Sequence, residues 1–392
     1  MRFPEFHGEW EKCKVSDLLD FYSTNSLSWE QLEYGTDNML NLHYGLIHVG
    51  LPTMVDLAKV TLPSIKKGNE PKNFEFCKEG DIAFADASED TNEVAKTVEF
   101  YDLQNKAVVC GLHTIHGRDK SDKAIVGYKG YAFSSTAFHH QIRRIAQGTK
   151  IYSVSAKNFA ECYIGIPTKE EQTKIANLLR LIDERIVTQS KLIEKLESLI
   201  KGIVDCTILR KEKNAIVGDV CSISEQIRAE ANIDDIITVR LHGNGVCKSS
   251  AENLQLGATQ YYRRRAGQLI YGKQNFHNGA IGIVPISLNN GITSKDIPSF
   301  DIDEMKCNSV YLLAQLQSPQ YYKPAEALTT GTGSKRLKEE TFLKMPIVLP
   351  NKREQDNIAV LIHRASMNLD HAKRLLELLS IQKQFLLRQM FI

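Results

Sequence analysis

The chain spells one sentence twice. Residues 166–179 read IPTKEEQTKIANLL and residues 349–362 read LPNKREQDNIAVLI. Pro167 and Pro350 are 183 positions apart, and the same offset carries Lys169 onto Lys352, Glu171 onto Glu354 and Gln172 onto Gln355. Ile175, Ala176 and Leu178 meet Ile358, Ala359 and Leu361 in the same way. Upstream, Gly148-Thr149 meets Gly331-Thr332 and Phe159 meets Phe342. Downstream, Leu192, Glu194 and Leu196 meet Leu375, Glu377 and Leu379. An offset that holds without a gap over so long a stretch is the mark of a tandem duplication, and it constrains the fold before any local pattern does.

Each copy leads into a helical pattern. In the first, steps of three and four residues land on Ile175, Leu179, Ile182, Ile186, Gln189, Ile193, Leu196, Ile200 and Ile203, with charged residues on the flanks. The second gives Ile358, Ile362, Ala365, Leu369, Ala372, Leu376, Leu379, Lys383 and Leu386. This 3.5-residue period is a coiled-coil seam, and Pro167 and Pro350 mark where each helix can begin. Each helix is expected to run about 35–40 residues, or about 55 Å. One apolar stripe on so long a helix needs cover, and the other copy is the natural cover in an antiparallel pair. Gln189 and Ala372 would then lie near a pseudo-twofold axis, where a polar seam position helps to fix register. Packing of each helix on its own neighbouring domain is the alternative.

Before each helix the language changes to strands and turns. KAVVCGL (106–112), GQLIYGK (267–273) and GAIGIVPIS (279–287) are short apolar runs bounded by Gly, Asn and Asp, with helix interleaved around residues 309–316. Val15-Ser16-Asp17-Leu18 is echoed by Val217-Gly218-Asp219-Val220, and EGDIAFADAS (79–88) by AGQLIYGKQN (266–275). Between these anchors the halves diverge. The expected fold class is α+β, with two α/β-mixed domains, two long antiparallel helices and an internal pseudo-twofold repeat. The expected segments are 1–165, 166–208, 209–348 and 349–392.

Enzymatic signatures are missing. GTGSK (331–335) lacks the spacing of a phosphate loop, and no Gly-rich strand-to-helix turn for a nucleotide cofactor or S-adenosylmethionine occurs. There is no G-x-S-x-G elbow and no Asn-Pro-Pro or Asp-Pro-Pro motif followed by Phe or Tyr, as an amino-methyltransferase would use. Adjacent His139 and His140 point apart on any regular backbone. The eight cysteines stand singly without C-x-x-C spacing, which reads as reduced, mostly buried thiols and no metal site. No run is long and apolar enough for a membrane span, and no leader is evident, so a cytoplasmic location is expected.

A formal charge of +2 leaves nucleic-acid binding to be argued from where the cations sit. Arg143-Arg144 precede Gly148 and Lys150. Arg263-Arg264-Arg265 precede Gly267, with Lys273 beyond. Lys335, Arg336 and Lys338 follow Gly331. Long basic side chains beside Gly-containing turns suit phosphate and base-edge contact, so these ten residues form the candidate DNA interface. Arginines covering apolar rims are the plain alternative for each cluster.

Taken together, RFPEFHGEW and KVSDLLDF at the start, and the two stretches GTKIYSVSAKNFAECYIGIPTKEEQTKIANLL and GTGSKRLKEETFLKMPIVLPNKREQDNIAVLI, resemble the specificity (S) subunits of type I restriction-modification enzymes along essentially the whole chain. The resemblance implies two target recognition domains, each reading half of a bipartite site on double-stranded DNA, with the helices setting the gap. It implies two methyltransferase subunits docked along the helices and motor-nuclease subunits joining for restriction. It also implies that the chain itself catalyses nothing and holds no cofactor. S-adenosylmethionine, ATP and Mg would belong to the partners. One heptad added to both helices would lengthen such a frame by about 10 Å, or about 3 bp. A non-catalytic coiled-coil scaffold, or an S-like subunit of another multisubunit restriction system, is the competing expectation.

Overall fold

A computed structural model describes residues 1–36, 38–249, 259–331 and 334–391. The architecture is mixed α/β with two long helices, and the chain forms two compact units: residues 1–190 with 374–392, and residues 191–373.

In the first unit the strands used below are β1 (Glu11–Lys14), β2 (Leu19–Tyr22), β3 (Met54–Asp56), β4 (Ile82–Ala85), β5 (Thr97–Asp102), β6 (Val108–Cys110), β7 (Thr114–Asp119) and β8 (Tyr163–Ile166). The main sheet runs β2-β7-β4-β5-β3, antiparallel except for the outer β5/β3 pair. Strand β4 lies in the middle and is buried on both faces, which is why IAFA shows no polar alternation. Helix α1 (Thr136–Ile145) is capped by Ser135, whose hydroxyl accepts from the Phe138 amide. Phe84, Phe133, Phe138 and Phe159 interlock in the core beneath it.

The first long helix, α2 (Lys169–Val204, 36 residues), puts Ile175, Leu179 and Ile182 into that same core. Leu386, Met390 and Phe391 enter it from the chain end, with Leu386 and Met390 on consecutive turns. Inside this unit, therefore, the start of one long helix meets the end of the other. Lys383, the charged residue on the expected seam, reaches Asp183 at 2.6 Å and the Thr53 hydroxyl at 3.3 Å, and Tyr131 donates to the same Asp183 carboxylate.

The second unit contains β9 (Ala215–Ile216), β10 (Cys221–Ile223), β11 (Leu269–Tyr271), β12 (Ile281–Ile283), β13 (Ser299–Ile302), helix α3 (Ser309–Leu316) and β14 (Pro346–Ile347). Its main sheet runs β10-β13-β11-β12, all antiparallel. That is the order β2-β7-β4-β5 again, with β11 standing where β4 stands. The weak echo between residues 79–88 and 266–275 marks these two central strands. The second long helix, α4 (Lys352–Gln389, 38 residues), contributes Ile358 and Ile362 to a core shared with Val204 and Ile208, the end of the first helix and the turn beyond it. Lys373 pairs with Glu197 at 2.8 Å.

Every expected seam position in both helices is buried or half-buried, Gln189, Ile193, Leu196, Leu369, Ala372, Leu376 and Leu379 included, as the 3.5 period requires. Helix lengths match expectation, and α3 lies over the residues read as helical. None of the helices among the described residues is long and apolar enough to cross a membrane.

Candidate nucleic-acid interface

The repeated sentence is a structural joint. The Gln172 carboxamide is fully buried. Its oxygen accepts from the Ile125 amide at 2.9 Å, and its nitrogen donates to the Lys123 and Pro167 carbonyls, each at 2.9 Å. In the other unit Gln355 accepts from Asn308 at 2.9 Å and donates to Lys306 at 3.1 Å and Pro350 at 2.8 Å. Each partner is displaced by the same 183 positions. Tyr128 likewise donates to the Gly165 carbonyl at 2.7 Å, and Tyr311 to that of Val348 at 3.0 Å. The strand before each helix is held antiparallel to the strand that opens its half, β8 on β1 and β14 on β9. The duplicated residues thus fasten the helix start to the globular part. The same offset carries Lys123 onto Lys306 and Tyr128 onto Tyr311 in the sequence.

Beside each joint sits a matching tight loop. Gln147 and Ser153 exchange two backbone hydrogen bonds, as do Thr330 and Arg336. Gly148 has φ of +140°, and a Cβ there would lie 1.8 Å from the Ile151 carbonyl oxygen. Gly331 has φ of +125°, with its Cβ 2.6 Å from the Ser334 oxygen. Only glycine fits either place. The GTGSK fragment is therefore the second copy of this loop. Its Thr332 and Gly333 lie outside the described residues. Lys150 is exposed on the first loop and Lys335 on the second.

The ten candidate cations divide by environment. Arg143 and Arg144 occupy the last turn of α1, both exposed, with Arg143 donating to the Asn92 side chain at 2.8 Å. Lys150, Arg263 and Lys338 are exposed too, and among the described residues none of these five cations, Arg143 and Arg144 included, has a carboxylate partner. Arg265 is exposed, 3.5 Å from Asp301. Lys335 and Arg336 are exposed in pairs with Glu326 and Asp296 at 3.3 and 3.1 Å. Lys273 is half-buried and tied to Glu339 at 2.7 Å, so its charge is largely spent internally.

Arg264 requires a correction. Its side chain is wholly enclosed, and the guanidinium donates to the Thr293 and Ser299 hydroxyls, the Gln226 side chain and the Ile297 carbonyl. Burial draws its pKa down to about 10. It is a core residue and cannot touch a duplex from this position. Arg264 lies just past the strand Tyr261–Arg263, where its amide donates to the Gly291 carbonyl and its carbonyl accepts from Asn290, and the side chain turns inward while Arg263 and Arg265 on either side stay exposed.

The long helices also show apolar residues to solvent. Leu181, Leu375, Leu378, Ile381 and Phe385 are exposed in the first unit, and Leu192, Leu199, Leu361 and Met367 in the second. They lie off the seam.

Residues 103–198 match the family described as type I restriction modification DNA specificity domain. No curated protein sequence matches the chain. Among solved structures, the S subunit of a type I restriction-modification system from M. genitalium is similar over 100% of this chain and 99% of its own, with 14% identity and a TM-score of 0.64. A chain from a study of complex assembly and conformational transition of the type I R-M system is similar over 98% of this chain and 97% of its own, with 12% identity and a TM-score of 0.53. The matched segment contains the first Gln172 joint, the Gly148 loop and α1 with its two arginines. The likeness read from the sequence accordingly holds in two ways: residues 103–198 match the model of the type I restriction modification DNA specificity domain, and the whole chain is similar in fold to a solved type I S subunit.

Proposed function

We propose that the chain is the DNA-recognition subunit of a type I restriction-modification complex and is not itself an enzyme. The observation that carries this is the joint built twice at one constant offset, one copy of which falls inside the matched specificity domain. On this reading residues 1–165 and 209–348 are two target recognition domains. Segments 166–208 and 349–392 form an antiparallel coiled coil that sets the gap between two unlike half-sites on double-stranded DNA. The unlike interiors of the two halves support an asymmetric target, because identical readers on a twofold frame would read a palindrome.

Exposed Arg143, Arg144, Lys150, Arg263, Arg265, Lys335, Arg336 and Lys338 supply phosphate or base contacts. The exposed leucines along both helices support docking of two methyltransferase subunits, with motor-nuclease subunits added for restriction. S-adenosylmethionine, ATP and Mg are assigned to those partners, and the assembly to the cytoplasm. The test is to assemble the chain with methyltransferase subunits and sequence the methylated product. Methylation confined to one two-part sequence with a fixed gap is the expected result. Methylation that ignores sequence, or that needs no S chain, overturns the reading in favour of a scaffold.

A further inference from the structure

Two cysteines and a histidine from separate parts of the first unit converge in its interior. Cys77 follows Phe76, which forms a β-bridge with Val109, Cys110 ends β6, and His116 lies in β7. Their relative exposures are 6%, 2% and 0%, and their potential ligand atoms all lie within 4.8 Å of one another. The two Sγ atoms are 3.6 Å apart. A tetrahedral zinc ion with Zn–S bonds of about 2.3 Å would hold its two sulfurs about 3.8 Å apart, so the pair already stands at ligand spacing. A disulfide would need about 2.0 Å.

The histidine supplies the second observation. Its Nε2 faces the Asp81 carboxylate at 2.8 Å, while Nδ1 is buried with no hydrogen-bond partner. Buried polar atoms are seldom left so. A carboxylate on one ring nitrogen fixes tautomer and orientation, and leaves the other nitrogen's lone pair for a metal. Asp81 is itself held by Arg118, which also reaches Glu75. The carboxylate thus has its own cation and can serve as the outer partner.

The geometry points to a divalent metal site of the zinc class formed by Cys77, Cys110 and His116, with Asp81 orienting the imidazole. Loading releases the two thiol protons to solvent. Two thiolates then cancel the charge of one divalent ion, which suits a dry interior better than a monovalent ion would. Among the described residues no fourth protein ligand joins the group, so the fourth position falls to water. The ion would clasp the segment around Cys77 to β6 and β7. The single cysteines gave no such signal in sequence, because the ligands come from three separate places. The inference is independent of the function proposed above.

The full chain, stripped with chelator and titrated with Zn²⁺ or Co²⁺ alone, tests it. One tightly bound ion per chain is expected, with thiolate-to-cobalt charge-transfer absorption and tetrahedral visible bands in the Co²⁺ form. Cys77→Ser, Cys110→Ser and His116→Asn should each weaken binding by about 100-fold, while Cys162→Ser leaves it unchanged. If these variants fold poorly, the unmutated chain's cobalt spectrum decides alone. Substoichiometric binding, a cobalt spectrum without thiolate ligation, or a Cys77–Cys110 disulfide in the freshly purified chain would overturn the assignment.

Discussion

Gln172 and Gln355 occupy equivalent places in the two units and make the same three hydrogen bonds to backbone groups 183 positions apart. Alanine at either position strands a buried amide and two carbonyls, and each such group costs about 1–3 kcal/mol. Water can enter in part, so a loss of about 2–4 kcal/mol in the affected unit is expected. Hydrogen exchange resolves it: Gln172→Ala should speed exchange of the Ile125 amide and leave that of Asn308 unchanged, with the reverse for Gln355→Ala. Equal loss of protection at both sites would mean that the units do not open separately. Gln→Glu should fare no better than Ala, because a carboxylate cannot donate to the two carbonyls.

The long helices were legible because a seam repeating every 3.5 residues over 36 and 38 residues leaves few alternatives. The sheets were not. Strands such as β9 and β14 have two residues each, too few for alternation to register, and the order β2-β7-β4-β5-β3 follows from packing rather than from local pattern. The exposure of the candidate cations was legible where they stood on a helix end or loop, as at Arg143, Arg144 and Lys150. It was misread at Arg264, where a run of three cations was treated as one patch although the middle one, just past the strand end, turns into the interior. Lys383 stands out in the sequence as a charge on the seam, but its partner Asp183 lies two hundred positions away, too far for any local pattern to pair them.

That misreading gives a paired prediction. Arg263 is exposed and Arg264 enclosed, one residue apart. Arg263→Ala should leave thermal stability within about 0.5 kcal/mol and, in the assembled complex, lower the slope of log K against log salt by about 0.9 if it meets one phosphate. Arg264→Ala should instead cost about 2–4 kcal/mol, since four neutral hydrogen-bonding groups lose their donor and a cavity opens. Parallel melting curves and salt titrations separate the two. An Arg264→Ala chain with normal stability and weakened DNA binding would reverse the correction.

Lys383, the charged residue on the expected seam, pairs with Asp183 at 2.6 Å, with side chains 20% and 13% exposed. Removing either partner alone leaves the other half-buried without its counter-charge. Asp183 would keep the Tyr131 hydroxyl, and Lys383 the Thr53 hydroxyl. Each single change, Lys383→Met or Asp183→Asn, should therefore destabilise by about 1–3 kcal/mol. The double variant should cost less than the sum, with a coupling of about 1–2 kcal/mol in a double-mutant cycle. Additive losses would show that the pair is held together by the fold without contributing to it.

His139 ties stability to pH. It lies on α1 with its ring largely enclosed and Nδ1 unpartnered. Burial first, and then the Arg143 guanidinium four residues on, push its pKa down to about 4, with Glu93 opposing weakly. An unfolded chain returns the imidazole to its ordinary value of about 6.5. Below that value the unfolded state takes up a proton that the folded state refuses, so the folded state loses ground as pH falls from about 6.5 towards 4 and no further below it. At about 1.4 kcal/mol per unit, the full loss from this one group is about 3 kcal/mol. Above pH 7 it vanishes. Urea midpoints taken between pH 7.5 and 4.5 should fall more steeply for the unmodified chain than for His139→Leu, whose enclosed side chain has nothing to protonate. The two curves running parallel through that window would mean that His139 is protonated as readily in the folded chain as in the unfolded one, and that α1 does not close over it.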